Sequence, residues 1–113
     1  ILRRTRLLIE QRLGIGRASL DEVAPMLGLS ARTLHRRLAE CGCSFRELVD
    51  TVRRTRAEVF LRNPTVTLAE IAFLLGYSEQ STFQHAFKRW TGQTPGEFRT
   101  GITNTHHTFD TPR

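Results

Sequence analysis

A chain of 113 residues has room for one compact domain or two very small ones, which excludes a large multi-domain enzyme. Seventeen basic against 11 acidic residues leave a net charge of +6 and a pI near 10.9; that balance attracts a polyanion, with nucleic acid the first candidate and an anionic membrane the second. No apolar run reaches the roughly 18 to 20 residues of a spanning helix and no signal-peptide pattern opens the chain, so a soluble, intracellular protein is expected.

The chain opens at Ile1-Leu2-Arg3-Arg4, without Met and already in what reads as a helix, so a longer parent protein is expected. Arginine supplies nearly all the positive charge, Lys88 being the one lysine. A guanidinium fork suits guanine and phosphate, although genomic codon bias produces the same composition.

The first legible unit begins at Ser19. Residues 19–30 align with residues 67–78 at a constant offset, so the chain repeats itself. Ser19 with Glu22, and Thr67 with Glu70, have the spacing at which hydroxyl and carboxylate satisfy each other's helix-start N–H groups. Leu20, Val23, Ala24 and Leu27, matched by Leu68, Ile71, Ala72 and Leu75, form one apolar stripe at helical spacing. Gly28 and Gly76 stand where a helix ends in a left-handed residue, and Ser30 and Ser78 are expected to cap the helices that follow. Those helices bury Leu34 and Leu38 in the first copy, and Phe83, Phe87 and Trp90 in the second. Cys41 falls on the apolar side after Leu38.

Two further boxes, Ser44 with Glu47 and Thr94 with Glu97, mark a second pair of helix starts, the latter with Pro95 in the favoured first position. The first opens the longest helical stretch, residues 44–62, in which Phe45, Leu48, Val49, Val52, Val59 and Phe60 are the expected apolar face and Asn63-Pro64 the stop. With no strand-like alternation of useful length, the expected fold is all-α: two helix-turn-helix subdomains, residues 1–43 and 63–101, joined by a long linker helix over 44–62, about seven helices in all. Residues 102–113, with His106 and His107, lack periodicity and read as a flexible tail.

A capped helix, a glycine turn and a second helix is the unit whose second helix enters the DNA major groove. In the first copy Arg32, His35 and Arg36 lie opposite Leu34 and Leu38, with Ser30 and Ala31 at the entry. In the second, Gln80, Ser81, Gln84 and His85 face outward, flanked by Glu79, Lys88 and Arg89. Arg reads guanine, Gln reads adenine, and Ser or His suits several partners; a polar outer face is also what any surface helix needs. An enzyme or metal site built on His35, Cys41 and Cys43 lacks a base, an orienting carboxylate and an open pocket. The alternative to DNA is a generic basic module for acidic protein or membrane surfaces, which would have no use for duplicated glycine turns.

The stretch from about Leu7 to Arg99 resembles the C-terminal DNA-binding domain of the AraC/XylS family of bacterial transcription regulators. The resemblance is carried by Leu68-Ala69-Glu70-Ile71-Ala72, Leu75-Gly76-Tyr77-Ser78, Ser81-Thr82-Phe83, Ala86-Phe87-Lys88-Arg89-Trp90-Thr91-Gly92 and Thr94-Pro95-Gly96-Glu97-Phe98-Arg99. It implies a cytoplasmic regulator, commonly an activator, with no cofactor and no bound metal, whose partners are double-stranded promoter DNA and RNA polymerase. It also implies a separate N-terminal effector or dimerisation domain in the parent. Position by position it assigns Ser30, Ala31, Arg32, His35 and Arg36 to the first reading helix, and Gln80, Ser81, Thr82, Gln84 and His85 to the second. Two positions depart from the family pattern: His85 stands where an arginine is common, and Ala31 offers only a methyl-scale surface.

Overall fold

The computed structural model describes residues 1–101, so the expectation for residues 102–113, His106 and His107 included, lies outside the described residues. The described residues are helical, with no strand among them. Six helices run α1 (Leu2–Arg12), α2 (Leu20–Val23), α3 (Ala31–Glu40), α4 (Phe45–Leu61), α5 (Leu68–Leu74) and α6 (Gln80–Thr91). A seventh, α7, begins at Pro95 and continues through residue 101.

Local chemistry sets most of the boundaries. The boxes at Ser19/Glu22, Ser44/Glu47 and Thr67/Glu70 are formed in full. At α7 the Thr94 N–H donates to the Glu97 carboxylate at 2.8 Å and the Glu97 N–H donates to the Thr94 hydroxyl at 3.1 Å. Ser30 caps α3, accepting from the Thr33 N–H at 3.1 Å. Ser78 does not cap α6, contrary to expectation. The turn in the second unit is one residue longer, Glu79 takes the N-cap position, and its side chain makes no capping bond.

The two first helices of the repeat also differ. α2 completes only one α-turn and continues as a 3-10 turn, Ala24–Leu27. Pro25 has no N–H to donate to Asp21, so the α-helical ladder stops there. Phe73, at the matching position of the second copy, imposes no such break, and α5 continues to Leu74.

The hydrophobic interior is divided in two. Ile9, Val23, Leu34 and Leu38 anchor the first core; Ile71, Leu75, Phe83 and Phe87 anchor the second. The strut α4 contributes Leu48 and Val52 to the first and Ala57 and Leu61 to the second. The second pair follows the first by nine residues, about 2.5 turns at about 3.6 residues per turn, so the two units pack on opposite sides of the strut. One continuous stripe was the expectation; the structure splits it, and Val59 is left 56% exposed. Cys41 is exposed as well, because α3 ends at Glu40 and Cys41 is its C-cap, beyond the turn that carries Leu38 into the core.

Arg99 closes the far end. From α7 its guanidinium donates to the carbonyls of Leu61 at 3.1 Å, Asn63 at 3.2 Å and Val66 at 2.7 Å, satisfying the orphan acceptors where the strut stops. Phe98 brings its ring to 5.4 Å from Phe87 beside it, which seats α7 on the second core.

Candidate nucleic-acid interface

Each second helix of the repeat is sharply two-faced. On α3, Leu34 and Leu38 are wholly buried, while Ser30, Arg32, His35 and Arg36 are exposed and Ala31 is half-buried. On α6, Phe83 and Phe87 are wholly buried; Gln80, Ser81, Thr82, His85, Lys88 and Arg89 are exposed and Gln84 is half-buried. Every sequence-predicted site residue therefore retains solvent access. The ion pairs among the described residues are Arg17 with Glu22 at 3.9 Å and Arg54 with Glu58 at 3.6 Å. Neither engages Arg32, Arg36, Lys88 or Arg89, so these exposed cations of α3 and α6 keep their charge available for an external anion.

The two sets of residues do not share one pocket. Thr82, His85 and Arg89 open onto a cleft of about 670 Å³ between the units, whereas Arg32, His35 and Arg36 do not line it. Across the cleft stand Ser19 and Glu22 of the first unit and, from the strut, Arg46, Asp50 and Arg53. Burial holds the Tyr77 hydroxyl above its ordinary pKa, with the nearby Arg53 charge opposing that shift. The strut's charged residues in this cleft were not legible in the sequence. Arg46, Asp50 and Arg53 sit at helical spacing on one flank of a helix whose polar residues looked like ordinary solvated surface.

Both cysteines are free thiols, Cys41 exposed and Cys43 partly covered. The Cys43 Sγ donates to the Ser44 carbonyl at 3.3 Å, and burial pushes its thiol pKa up, the direction that suppresses thiolate chemistry. Among the described residues no group of three or more His, Cys, Asp and Glu side chains has the arrangement of a metal site.

Two turn-linked helix pairs, each presenting a polar row over a buried apolar one, define a helix-turn-helix protein of the DNA-binding class. The family model of a helix-turn-helix domain matches residues 23–101. The chain belongs to the AraC-type helix-turn-helix family of transcription regulators. It is 47% identical over 81 residues to the HTH-type transcriptional regulator VqsM of Pseudomonas aeruginosa, covering 72% of this chain and 25% of VqsM. It is 40% identical over 92 residues to the HTH-type transcriptional regulator VirS of Mycobacterium tuberculosis, covering 81% of this chain and 27% of VirS. Its structure resembles the C-terminal domain of AraT, a response regulator of Geobacillus stearothermophilus, with a TM-score of 0.79 and 32% identity, covering 88% of this chain and 84% of that one. The chain thus spans about a quarter of the length of the curated relatives it matches. The reading as a basic module for acidic protein or membrane surfaces finds no support among these relatives, and no helix among the described residues is long and apolar enough to cross a membrane.

Proposed function

We propose that this chain is the operator-reading part of a cytoplasmic transcription activator, with α3 and α6 entering successive major grooves of one duplex. The observation that carries the reading is the paired exposure of Arg32, His35 and Arg36 on α3 and of Gln80, Ser81 and His85 on α6 over fully buried apolar rows. In this reading Arg36 takes guanine, Gln80 takes adenine, and Lys88 and Arg89 neutralise phosphates; Ser30, Ala31, Thr82 and Gln84 complete the two reading surfaces. The strut has 17 residues and spans about 26 Å at about 1.5 Å per residue, less than the roughly 34 Å of one helical turn of DNA. A strut shorter than one turn implies either that the duplex bends toward the protein or that one unit engages weakly. In the parent, RNA polymerase is the second partner, and an N-terminal domain supplies effector sensing or dimerisation.

Selection of bound duplexes from a random pool, followed by gel-shift titration in rising salt, tests the assignment. Arg36→Ala and Gln80→Ala should each weaken the selected duplex by about 1 to 3 kcal/mol and relax preference at one base pair; Lys88→Ala should weaken all sequences alike and flatten the salt slope by about one unit. Equal losses on every duplex for all three variants would remove the base-reading roles.

A further inference from the structure

The turn of the second unit is gripped from both sides, and the matching turn of the first is not. Arg53, half-buried on the strut, donates from Nε to the Leu75 carbonyl at 3.0 Å and lays its guanidinium 4.4 Å from the centre of the Tyr77 ring. Between those two residues, Gly76 lies against the first unit: a Cβ there would meet the Leu13 carbonyl oxygen at 2.7 Å. Gly28, its counterpart in the repeat, has nothing within 4 Å of the same position. The turn that leads into α6 is thus the point at which strut, first unit and second unit meet.

We infer that Arg53, bonded to Leu75 and stacked on Tyr77, determines which spacing between half-sites the protein accepts, by locking the orientation of α6 relative to α3. The inference rests on the two-groove reading proposed above. Arginine suits this role because its planar fork donates and stacks at once, which a lysine ammonium on a flexible stem does not reproduce. The grip is consequential because the two cores are separate, so the mutual orientation of the units is set where they meet, at the strut and at the approach of Leu13 to Gly76. Adding one base pair moves the second half-site by about 3.4 Å and about 35° around the duplex. A locked pair of readers cannot follow that displacement, whereas a loosened pair can.

The test uses the duplex recovered by selection and derivatives with one or two base pairs added or removed between the half-sites. Wild type should lose at least about ten-fold in affinity on each derivative, the loss of one reader's base contacts. For Arg53→Met the loss should shrink to a few-fold, with affinity for a single half-site unchanged. Arg53→Lys keeps the stem and the charge, and should show the same broadened tolerance even if the methionine variant fails to fold. Arg46→Met, which removes a cation from the same cleft, should lower affinity for every duplex while leaving the spacing profile sharp. An unaltered spacing profile in both Arg53 variants, or full rescue by lysine, overturns the inference and leaves the DNA-reading assignment standing. Failure of the wild-type protein to select any preferred duplex overturns both.

Discussion

Replacing Gly28 and Gly76 in turn by alanine makes a controlled comparison, because the two glycines close equivalent turns in nearly the same backbone conformation, φ +72° and +86°. Both substitutions force an L-residue into the left-handed region, at about 1 to 2 kcal/mol. At Gly28 the new methyl enters open space, and that is the whole cost. At Gly76 it arrives 2.7 Å from the Leu13 carbonyl oxygen, against 3.4 Å at the near edge of ordinary contact, so about 0.7 Å of separation must be found. The obstacle is backbone rather than a flexible side-chain tip, and the same oxygen already accepts from the Gly16 N–H at 3.0 Å. Displacement of a well-packed neighbour on this scale costs about 1 to 3 kcal/mol more, so Gly76→Ala should lose about 2 to 5 kcal/mol in total and Gly28→Ala about 1 to 2. Urea unfolding followed by circular dichroism measures both. Equal losses would mean that the Leu13 backbone does not press on the second turn in solution, and the reasoning about how the units are joined would fail with it.

The caps make a second comparison: Thr67→Ala should cost about 1 kcal/mol, Ser78→Ala less than about 0.5 kcal/mol because its hydroxyl caps nothing, and Glu79→Ser should stabilise by supplying the missing cap. A Ser78→Ala loss as large as that of Thr67→Ala, in the same urea titration, would restore Ser78 to the N-cap position. Acid should also weaken the fold through the boxes. The Glu22 carboxyl is held below its ordinary pKa chiefly by the Ser19 hydroxyl, and those of Glu70 and Glu97 chiefly by the backbone N–H groups of Thr67 and Thr94. A depressed folded pKa means stability that is present above the unfolded value, about 4.3, and is lost as pH falls through the folded one. Melting temperature should therefore fall from about pH 5 downward, and less steeply when all three are changed to glutamine; identical pH profiles for the two proteins would contradict this.

What the sequence reveals well is whatever lies within one helical turn of its cause. The four capping boxes formed as read, since hydroxyl and carboxylate need only be three residues apart. The Ser78 error is of the same local kind and was legible: aligning Leu34 and Leu38 with Phe83 and Phe87 requires a shift one residue larger than that between Gly28 and Gly76. The second turn must therefore be longer, and Glu79 rather than Ser78 falls at the helix start. Pro25 likewise announced the short α2. The grip of Arg53 on Leu75 and Tyr77, the approach of Leu13 to Gly76 and the closure of the strut by Arg99 were not legible. Each joins residues 22 or more apart through the rotation of α4 or the docking of a whole unit, and arginine at a helical position carries no mark that separates an internal clamp from solvated charge.

The repeat thus keeps its local grammar while its two copies take unequal structural parts. The first turn is free, and α3 beyond it carries arginines with no internal partner; the second turn is held by strut and neighbour, and α6 carries glutamines and small hydroxyls. Changes on the outer rows of α3 and α6 alter which atoms meet a ligand but leave the join between units untouched. Changes at Gly76, Arg53 or Tyr77 leave the side chains of those rows intact and act on the join that sets their mutual placement. Under the proposed two-groove reading, base preference and half-site spacing are expected to be separable properties held by different residues, so that a variant can shift one without the other.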